Sequence, residues 1–561
     1  MSSIGDTAST FCATLVDEWI HSGVRHAVLA PGSRSTPLAI ALAARSEIRV
    51  HLFHDERSAS FAALGLGLST SIPVVLLCTS GTAATHFHGA VVEAHQSNVP
   101  MIVCTADRPP ELRDVGAPQT IEQTHLFGSA VRWFHDPGVP SMDAASSWRA
   151  LAARCVSSST GSRPGPVHLN LPFREPLVGV PTDMPDRRQT GVGRVVRPAV
   201  VSETDVLPLF EMVNGRRGVI VAGRGASPEV LTLAKKLGWP VFADARSDLR
   251  VCDESVVVAF DAVLRSSRFA DSHFPDIVLR VGEPPASKVT AQWIQRSGTV
   301  VVQLQNTEMV VDPDHSAALT LVADIASAAA ALASLMTAPI DGWLSDWTTA
   351  ETVAQKAIDS WCDHNWSEPS NARVVTSTIK QGNNLVVSSS MPIRDVEWFG
   401  SVTPGVQVFS NRGTNGIDGV ISTAIGVALG TGVSTTVLIG DVACVHDSNG
   451  LWALMQRDVD LKVVVTNNDG GSIFSFLPQA GVVDNATFEL LYGTPHGVAF
   501  EHLAYAHGVP FKRATHGASL AEALATPGTM LIEVPFDRSM NVSQHEALNT
   551  SIVQAVESAT A

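Results

Sequence analysis

The chain has 561 residues, of which 45% are hydrophobic and 16% are charged. This length suffices for about three or four domains, and the composition excludes a disordered chain. The formal net charge of −16 argues against nucleic-acid binding through a general electrostatic footprint, so an anionic substrate would need a local basic cluster.

The first part of the chain predicts helices that alternate with short β-branched strands. A helix over 10–21 places five apolar residues on one face: Phe11, Leu15, Val16, Trp19 and Ile20. A strand at 26–30, a Pro-Gly-Ser turn and a helix from Pro37 follow, with further strands at 49–53, 74–78 and 101–105. This rhythm predicts a parallel sheet with helices on both faces.

Two further blocks repeat the pattern after a proline-rich stretch at about 172–200, which predicts a linker. The second block has strands predicted near 218–221, 278–281 and 300–304. The third has strands near 385–388, 436–439, 462–466 and 530–534. We therefore expect an α/β protein with three doubly wound parallel-sheet domains, over 1–180, 190–340 and 345–561.

The seven cysteines are scattered, without a Cys-x-x-Cys pair or a His/Cys metal spacing. This pattern argues against a disulfide scaffold or a zinc site and fits a reducing compartment. The first residues carry no basic segment followed by an apolar stretch, and no apolar run approaches the ~20 residues of a membrane span. We expect a cytoplasmic protein without a membrane span.

A glycine pair at Gly223 and Gly225 follows a predicted strand, as in dinucleotide-binding proteins. The third glycine of that fingerprint is replaced by Pro228, and only the ambiguous Asp244 could supply the acidic residue. A glycine pair is also common in tight strand-to-helix turns. The pattern favours a structural turn over a nucleotide-dependent oxidoreductase.

The strongest chemical signal is a strand ending in Gly440-Asp441, a helix over 449–456, and a strand followed by Asn468. A right-handed crossover puts the carboxyl ends of both strands at one sheet edge, so Asp441 and Asn468 should lie side by side. Their side-chain oxygens and the Gly470 carbonyl suit Mg²⁺ that also binds phosphate oxygens. Turn-forming Asp and Asn at two strand ends are the structural alternative.

This spacing resembles the signature of thiamine diphosphate-dependent enzymes, Gly-Asp-Gly followed after about 25 residues by Asn-Asn, although Val442 replaces the second glycine. The resemblance implies bound thiamine diphosphate with Mg²⁺ or Mn²⁺. It also implies a glutamate that hydrogen-bonds the aminopyrimidine ring and promotes its imino tautomer. Glu56 matches that glutamate, at a strand end and a helix start before Thr-Ser-Gly-Thr-Ala at 79–83. A plain helix-terminal acid is the alternative, and Asp55 fits that role as well.

Four motifs resemble one family of these enzymes, the 2-succinyl-5-enolpyruvyl-6-hydroxy-3-cyclohexene-1-carboxylate synthases of menaquinone biosynthesis. They are Ala-Pro-Gly-Ser-Arg-Ser-Thr-Pro-Leu at 30–38, Thr-Ala-Asp-Arg-Pro-Pro-Glu-Leu at 105–112, Ser-Asn-Arg-Gly-Thr-Asn-Gly-Ile-Asp at 410–418, and Asn-Asn-Asp-Gly-Gly-Ser-Ile-Phe-Ser-Phe-Leu-Pro at 467–478. The resemblance implies decarboxylation of 2-oxoglutarate and 1,4-addition of the resulting succinyl carbanion to isochorismate. It also implies a homodimer or homotetramer with sites at the subunit interface.

Both implied substrates are dicarboxylates, and four arginines follow predicted strand ends, where α/β sites form. These are Arg34, Arg108, Arg394 and Arg412, whose planar guanidinium groups suit bidentate carboxylate binding. By family match, polar substrate contacts come from Ser33, Gln119, Lys288 and Ser390, and an apolar wall comes from Ile473, Phe474 and Leu477. Val289 stands where the family often has a second cation.

Two alternatives to this family stay open at the level of the sequence. One is another thiamine diphosphate-dependent 2-oxo acid decarboxylase or carboligase, such as acetohydroxyacid synthase, although such enzymes generally accept small or apolar substrates. The other is a noncatalytic binding protein on the same fold, against which Glu56, Asp441 and Asn468 argue.

Overall fold

The structure is a computed structural model that describes residues 3–187 and 197–560. Part of the predicted linker, 188–196, lies outside the described residues, and 173–187 contain neither helix nor strand. Across the described ranges, none of the helices combines the length and apolar character needed to cross a membrane.

The first sheet is built from the amino-terminal segment. Its strands are β1 (His26–Leu29), β2 (Arg49–Leu52), β3 (Val74–Cys78), β4 (Met101–Asp107), β5 (Trp133–His135) and β6 (Pro166–Pro172). The helices are α1 (Ile4–His21), α2 (Thr36–Ala43), α3 (Glu56–Thr70), α4 (Thr82–Thr85), α5 (His88–Gln96) and α6 (Ala145–Ser159). The strands are parallel in the order β2-β1-β3-β4-β6-β5, which confirms the predicted strands and adds β5 and β6. Helix α1 begins earlier than predicted because Ser3 and Asp6 form a capping box.

The second sheet is built from the middle segment. Its strands are β7 (Gly218–Ala222), β8 (Val241–Ala243), β9 (Val256–Val257), β10 (Ile277–Val281), β11 (Val300–Gln305) and β12 (Ala317–Val322), in the order β12-β11-β10-β7-β8-β9. The helices are α7 (Leu207–Val213), α8 (Glu229–Leu237), α9 (Phe260–Leu264), α10 (Ser267–Ser272), α11 (Lys288–Ser297) and α12 (Ile325–Leu335). The glycine-containing turn after β7 packs against the turn after β10, where Glu283 N donates to Arg224 O at 3.1 Å. A Cβ at Gly223 would lie 1.7 Å from Glu283 O, and Gly225 has φ of +90°, so both glycines have a structural role in this turn.

The third sheet is built from the carboxyl-terminal segment. Its strands are β13 (Asn384–Val387), β14 (Gln407–Phe409), β15 (Thr435–Gly440), β16 (Leu461–Asn467), β17 (Phe511–Arg513) and β18 (Met530–Pro535). The helices are α13 (Trp343–His364), α14 (Glu368–Thr378), α15 (Met391–Phe399), α16 (Val420–Thr431), α17 (Asp441–His446), α18 (Ser448–Leu454), α19 (Asn485–Phe488), α20 (Phe500–Ala506), α21 (Gly517–Ala525) and α22 (Arg538–Ala559). The order β14-β13-β15-β16-β18-β17 repeats that of the first sheet. The predicted helix over 449–456 is wrong in its bounds, since two short helices, α17 and α18, connect β15 to β16.

The chain folds into two compact units. The first contains the first sheet together with Asn411–Gly432 and His446–Leu461, so α16 and α18 pack with it. The second contains the second and third sheets. The fold class of three doubly wound sheets is thus confirmed, whereas domain boundaries at 1–180, 190–340 and 345–561 stay a prediction.

Candidate active site

Asp441 lies directly after β15, and its carboxylate holds the loop that follows the neighbouring strand β16. Its Oδ2 accepts hydrogen bonds from Asn468 N and Gly470 N, both at 3.0 Å, and its Oδ1 accepts one from Val442 N at 2.6 Å. The Asp441 and Asn468 residues are buried. The structure therefore brings together the two residues that the sequence predicted to be neighbours across the sheet edge.

The Asn468 side chain is oriented by Glu368, the first residue of α14. Asn468 Nδ2 donates to Glu368 Oε1 at 2.8 Å, while Asn468 Oδ1 is buried without a hydrogen-bond partner. Burial and then the neighbouring Asp395 carboxylate raise the pKa of Glu368 to about 7. A buried amide oxygen without a donor is a site that a hard cation can satisfy. The side-chain oxygens of Asp441 and Asn468 thus fit a divalent metal ion.

A second segment packs against the loop after β16. The Asp469 carboxylate accepts hydrogen bonds from His496 N at 3.0 Å and Gly497 N at 2.8 Å. His496 Nε2 lies 3.4 Å from Asp441 Oδ2. The apolar residues Ile473 and Phe474 lie in the 3₁₀ helix Ser472–Phe476, and Leu477 follows it, 39% exposed.

Ser390 and Arg394 lie beyond β13, the strand next to β15. Ser390 has φ of +75° and precedes α15, and Arg394 Nη1 donates to Ser390 O. Burial lowers the pKa of Arg394. Both residues therefore occupy the same sheet edge as Asp441.

Lys288 is the first residue of α11. The loop that precedes this helix is hydrogen-bonded to α15. Ala286 N donates to Glu397 Oε2 of α15 at 2.8 Å, and Ser287 caps α11 through Thr290 N. The Lys288 side chain is exposed. Val289 packs against the apolar core of this unit, so position 289 supplies no second cation beside Lys288.

In the first compact unit, Arg34 and Arg108 follow β1 and β4 and lie near each other. Burial, and then the positive charge of Arg34, lower the pKa of Arg108. Arg108 Nη1 donates to Ser80 Oγ at 3.1 Å, and Gln119 Nε2 donates to Ser80 O at 3.1 Å. Arg34 is buried and donates to Phe173 O, and Ser33 beside it is exposed.

Glu56 is the first residue of α3, as the sequence predicted. Asp55 caps this helix, accepting from Ser58 N at 3.0 Å, so the helix-capping role falls to Asp55. Burial, and then the negative charge of Glu56, raise the pKa of the Cys78 thiol at the end of β3. Glu56 itself is partly buried.

The predicted residues therefore fall into two groups. The first unit holds Ser33, Arg34, Glu56, Arg108, Gln119 and Arg412. The second holds Lys288, Ser390, Arg394, Gly440, Asp441, Asn468, Gly470, Ile473, Phe474 and Leu477. Two residues of the site, Glu368 and Ser80, were not predicted from the sequence. Ser80 lies within the Thr-Ser-Gly-Thr-Ala motif at 79–83, whereas no local signal marks Glu368 as a partner of Asn468.

Three family models match successive parts of the chain. They describe the N-terminal TPP binding domain of thiamine pyrophosphate enzymes at 10–126, the middle domain of thiamine pyrophosphate at 199–387, and the C-terminal TPP binding domain at 399–534. A solved structure of a thiamin diphosphate-dependent enzyme from Mycobacterium smegmatis matches with a TM-score of 0.71. It covers 94% of this chain and 99% of its own at 18% identity, which shows the fold alone.

Curated proteins match over nearly the full length. A 2-succinyl-5-enolpyruvyl-6-hydroxy-3-cyclohexene-1-carboxylate synthase from Chloroflexus aurantiacus is 40% identical, covering 96% of this chain and 95% of its own. The synthase of the same name from Thermobifida fusca is 40% identical over 98% of this chain and 99% of its own. The one from Myxococcus xanthus is 38% identical over 98% of both chains.

Proposed function

The chain belongs to the 2-succinyl-5-enolpyruvyl-6-hydroxy-3-cyclohexene-1-carboxylate synthase family of thiamine diphosphate-dependent enzymes, and we propose that it catalyses that synthesis from 2-oxoglutarate and isochorismate, with release of CO₂, in menaquinone biosynthesis. The observation that carries the proposal is the full-length similarity to synthases of this name, joined to the Asp441–Asn468 arrangement. The same similarity favours this synthesis over a general 2-oxo acid decarboxylase or carboligase.

Asp441, Asn468 and the Gly470 carbonyl would hold Mg²⁺ or Mn²⁺ in this proposal, and the ion would supply positive charge for the cofactor diphosphate. The unpartnered, buried Asn468 Oδ1 supports this role, because a buried amide oxygen is costly unless something satisfies it. Gly440 belongs to the same turn, and Ile473, Phe474 and Leu477 supply an apolar wall that excludes water from the reacting atoms. Thiamine diphosphate, when bound, supplies the electron sink for decarboxylation.

Glu56 acts on the aminopyrimidine ring in this proposal, holding a shared proton at its carboxylate. Its position supports the role, because Asp55 caps α3 and the Glu56 carboxylate is not needed as the helix cap. A carboxylate that shares a proton is effective at neutral pH only where water is excluded.

Five cations bind the substrate carboxylates in this proposal: Arg34, Arg108, Lys288, Arg394 and Arg412. Ser33, Gln119 and Ser390 add polar contacts. The nearness of Arg34 and Arg108 supports a shared anion site, because two positive charges attract an anion more strongly than one. Arg34 also forms an ion pair with Glu175 at 3.1 Å, so a substrate carboxylate would compete with that glutamate.

The proposed assembly is a homodimer or homotetramer with sites at the subunit interface, in the cytoplasm. Within the described residues, none of the seven cysteines forms a disulfide, and this supports a reducing compartment.

To test the proposed reaction, the protein is mixed with thiamine diphosphate, Mg²⁺, 2-oxoglutarate and isochorismate, and the loss of isochorismate is followed over time. We expect loss only when 2-oxoglutarate is present, and none when pyruvate replaces it. Loss of isochorismate that is independent of 2-oxoglutarate would contradict the proposal.

The substrate assignment is tested separately with Arg394→Ala and Arg412→Ala. Each change should lower kcat/KM roughly ten- to hundredfold, because one charge-assisted contact is removed, and cofactor affinity should not change. Arg296→Ala is the matched control, since Arg296 lies on the surface in an exposed ion pair with Asp271. An effect under about threefold for both test variants would assign these arginines a structural role.

A further inference from the structure

A buried carboxylate on α5 holds the loop that carries Arg412. Glu93 is 2% exposed, and its Oε1 accepts hydrogen bonds from Gly413 N and Ser97 Oγ, both at 2.7 Å. Its Oε2 accepts from Thr414 N and Thr414 Oγ1, also both at 2.7 Å. All of these residues belong to the first compact unit.

The four donors explain how a carboxylate can be buried at this position. Burying a charge is costly unless it is hydrogen-bonded, and bonds from N–H and O–H donors to a carboxylate are stronger than neutral ones. Three of the four donors belong to the two residues that follow Arg412. Glu93 therefore fixes the backbone from which the arginine side chain extends.

Gly413 allows α5 to come this close to the loop. A Cβ at Gly413 would lie 2.6 Å from Ser97 Oγ and 2.9 Å from both Gln96 Cβ and Glu93 Oε1. Any side chain at this position would push the loop away from Glu93. The carboxylate and the glycine are thus two parts of one contact.

We propose that Glu93 is a positioning residue that holds Arg412 where it binds a substrate carboxylate. This inference rests on the proposed substrate role of Arg412. A long side chain that extends from a fixed backbone loses less conformational freedom on binding. The hydrogen bonds from Gly413 and Thr414 to Glu93, here called the Glu93 clamp, therefore improve substrate affinity and leave the cofactor site unaffected.

The main test is Glu93→Gln. An amide keeps the size of the side chain but replaces one acceptor oxygen with an N–H₂ group, which faces a backbone N–H of the loop. We expect the KM of at least one of the two substrates to rise about tenfold, with kcat and thiamine diphosphate affinity within about twofold of wild type. The milder Thr414→Val removes only the hydroxyl donor and should raise the same KM about threefold.

The control is Ser97→Ala, which removes a hydrogen bond from Glu93 but leaves all three bonds to the loop. Its KM values should stay at the wild-type level. A KM increase in Ser97→Ala equal to that in Glu93→Gln would overturn the inference, because general loosening around α5 would then explain both.

Hydrogen exchange at the amides of Gly413 and Thr414 tests, without substrate or cofactor, whether Glu93 holds this loop. Exchange at both should be faster in Glu93→Gln and in Gly413→Ala, and unchanged in Ser97→Ala. Wild-type exchange in Glu93→Gln would overturn the inference, since the clamp would then not depend on the carboxylate.

A double variant separates this inference from the proposed function. If Glu93 acts through Arg412, the Glu93→Gln/Arg412→Ala variant should lose no more kcat/KM than Arg412→Ala alone. Additive losses, with a strong effect of Arg412→Ala, would overturn the inference and leave the substrate role of Arg412 standing. A negligible effect of Arg412→Ala would overturn the substrate role, and the inference with it.

Discussion

At the scale of single residues, the Asp441 carboxylate accepts hydrogen bonds from three backbone N–H groups, two of which belong to the loop after β16. It bonds to Val442 on one oxygen and to Asn468 and Gly470 on the other. The two hydrogen bonds to Oδ2 therefore fix the position of this loop relative to the end of β15. Asn468 needs a further contact to direct its amide oxygen, and Glu368 supplies it.

The Glu368–Asn468 hydrogen bond predicts a dependence of metal affinity on Glu368. Glu368→Ala leaves the Asn468 amide without its partner, so the amide can rotate away from the proposed metal. Loss of such an outer partner typically weakens metal affinity about 10- to 100-fold. The measurement is titration of Mg²⁺ by calorimetry in the presence of thiamine diphosphate.

A matched control for Glu368 is Glu351→Ala, which removes another glutamate of the second unit, one that accepts from Ala259 N at 2.9 Å. It should leave Mg²⁺ affinity unchanged. Equal affinity in wild type and Glu368→Ala would show that the Asn468 amide is oriented by other groups.

Asp447, buried between α17 and α18, predicts a pH dependence of stability. Burial raises its pKa to about 6, above the value of about 3.9 expected in the unfolded chain. The folded protein then binds a proton that the unfolded chain releases, so the free energy of unfolding falls as pH rises from about 4 to 6.

Asp447→Asn removes this titration. The free energy of unfolding of wild type relative to the variant should fall by about 1 kcal/mol between pH 5 and pH 7. Urea unfolding of both proteins at the two pH values measures the difference. A difference that is the same at both values would show that Asp447 has an ordinary pKa in the folded protein.

At the scale of elements, α3 and α16 pack within the first unit at a distance that only glycine permits. A Cβ at Gly65 would lie 2.0 Å from Thr423 O, and a Cβ at Gly426 would lie 2.1 Å from Ala62 O. In both positions the obstacle is backbone, which cannot rotate away as a side chain can. This packing attaches α16 to the helix that begins with Glu56.

Gly65→Ala and Gly426→Ala should therefore destabilise the protein despite the higher helix propensity of alanine. Overpacking of this kind costs about 1–3 kcal/mol or more, so we expect a lower midpoint in thermal unfolding. The control is Gly161→Ala in the same unit, where the nearest atom to a new Cβ is Ser157 O at an ordinary 3.6 Å. Equal midpoints for all three variants would contradict the close approach.

At the scale of the whole molecule, the predicted catalytic residues are divided between two compact units, with Glu56 in the first and Asp441 in the second. The proposed assembly joins Glu56 of one subunit to the metal site of its partner. In a two-fold dimer each surface occurs once per subunit, so two sites form, each with contributions from both chains.

This assembly predicts complementation between two inactive variants. Glu56→Gln cannot share the proton at the aminopyrimidine, and Asp441→Ala cannot bind the metal, so each alone should be nearly inactive. In a mixed dimer one site collects both defects and the other collects none. With random assortment, about half of the dimers are mixed, and coexpression should restore about a quarter of wild-type activity.

Differential affinity tags on the two variants isolate the mixed dimers for the assay. Inactive mixed dimers would place Glu56 and the metal site in the same subunit.

The sequence by itself determined the fold class and the Asp441–Asn468 pair. Buried parallel strands are continuous apolar runs, which is why β3, β4 and β16 were predictable. Short strands such as β9, with two residues, carry too weak a signal. β12 also carries a weak signal, because its sequence Ala-Ala-Leu-Thr-Leu-Val does not alternate between polar and apolar residues. Asp441 and Asn468 were predictable as neighbours because adjacent parallel strands end at one sheet edge.

Only the tertiary structure decided which side chains hold these residues in place. Glu368 lies 100 positions from Asn468, and Glu93 lies 320 positions from Gly413, so no local pattern links the partners. The same holds for the packing of α16 with the first unit rather than with the sheet that precedes it in sequence. Periodicity reports only which face of an element is apolar, whereas a hydrogen bond between distant segments depends on how complete elements pack.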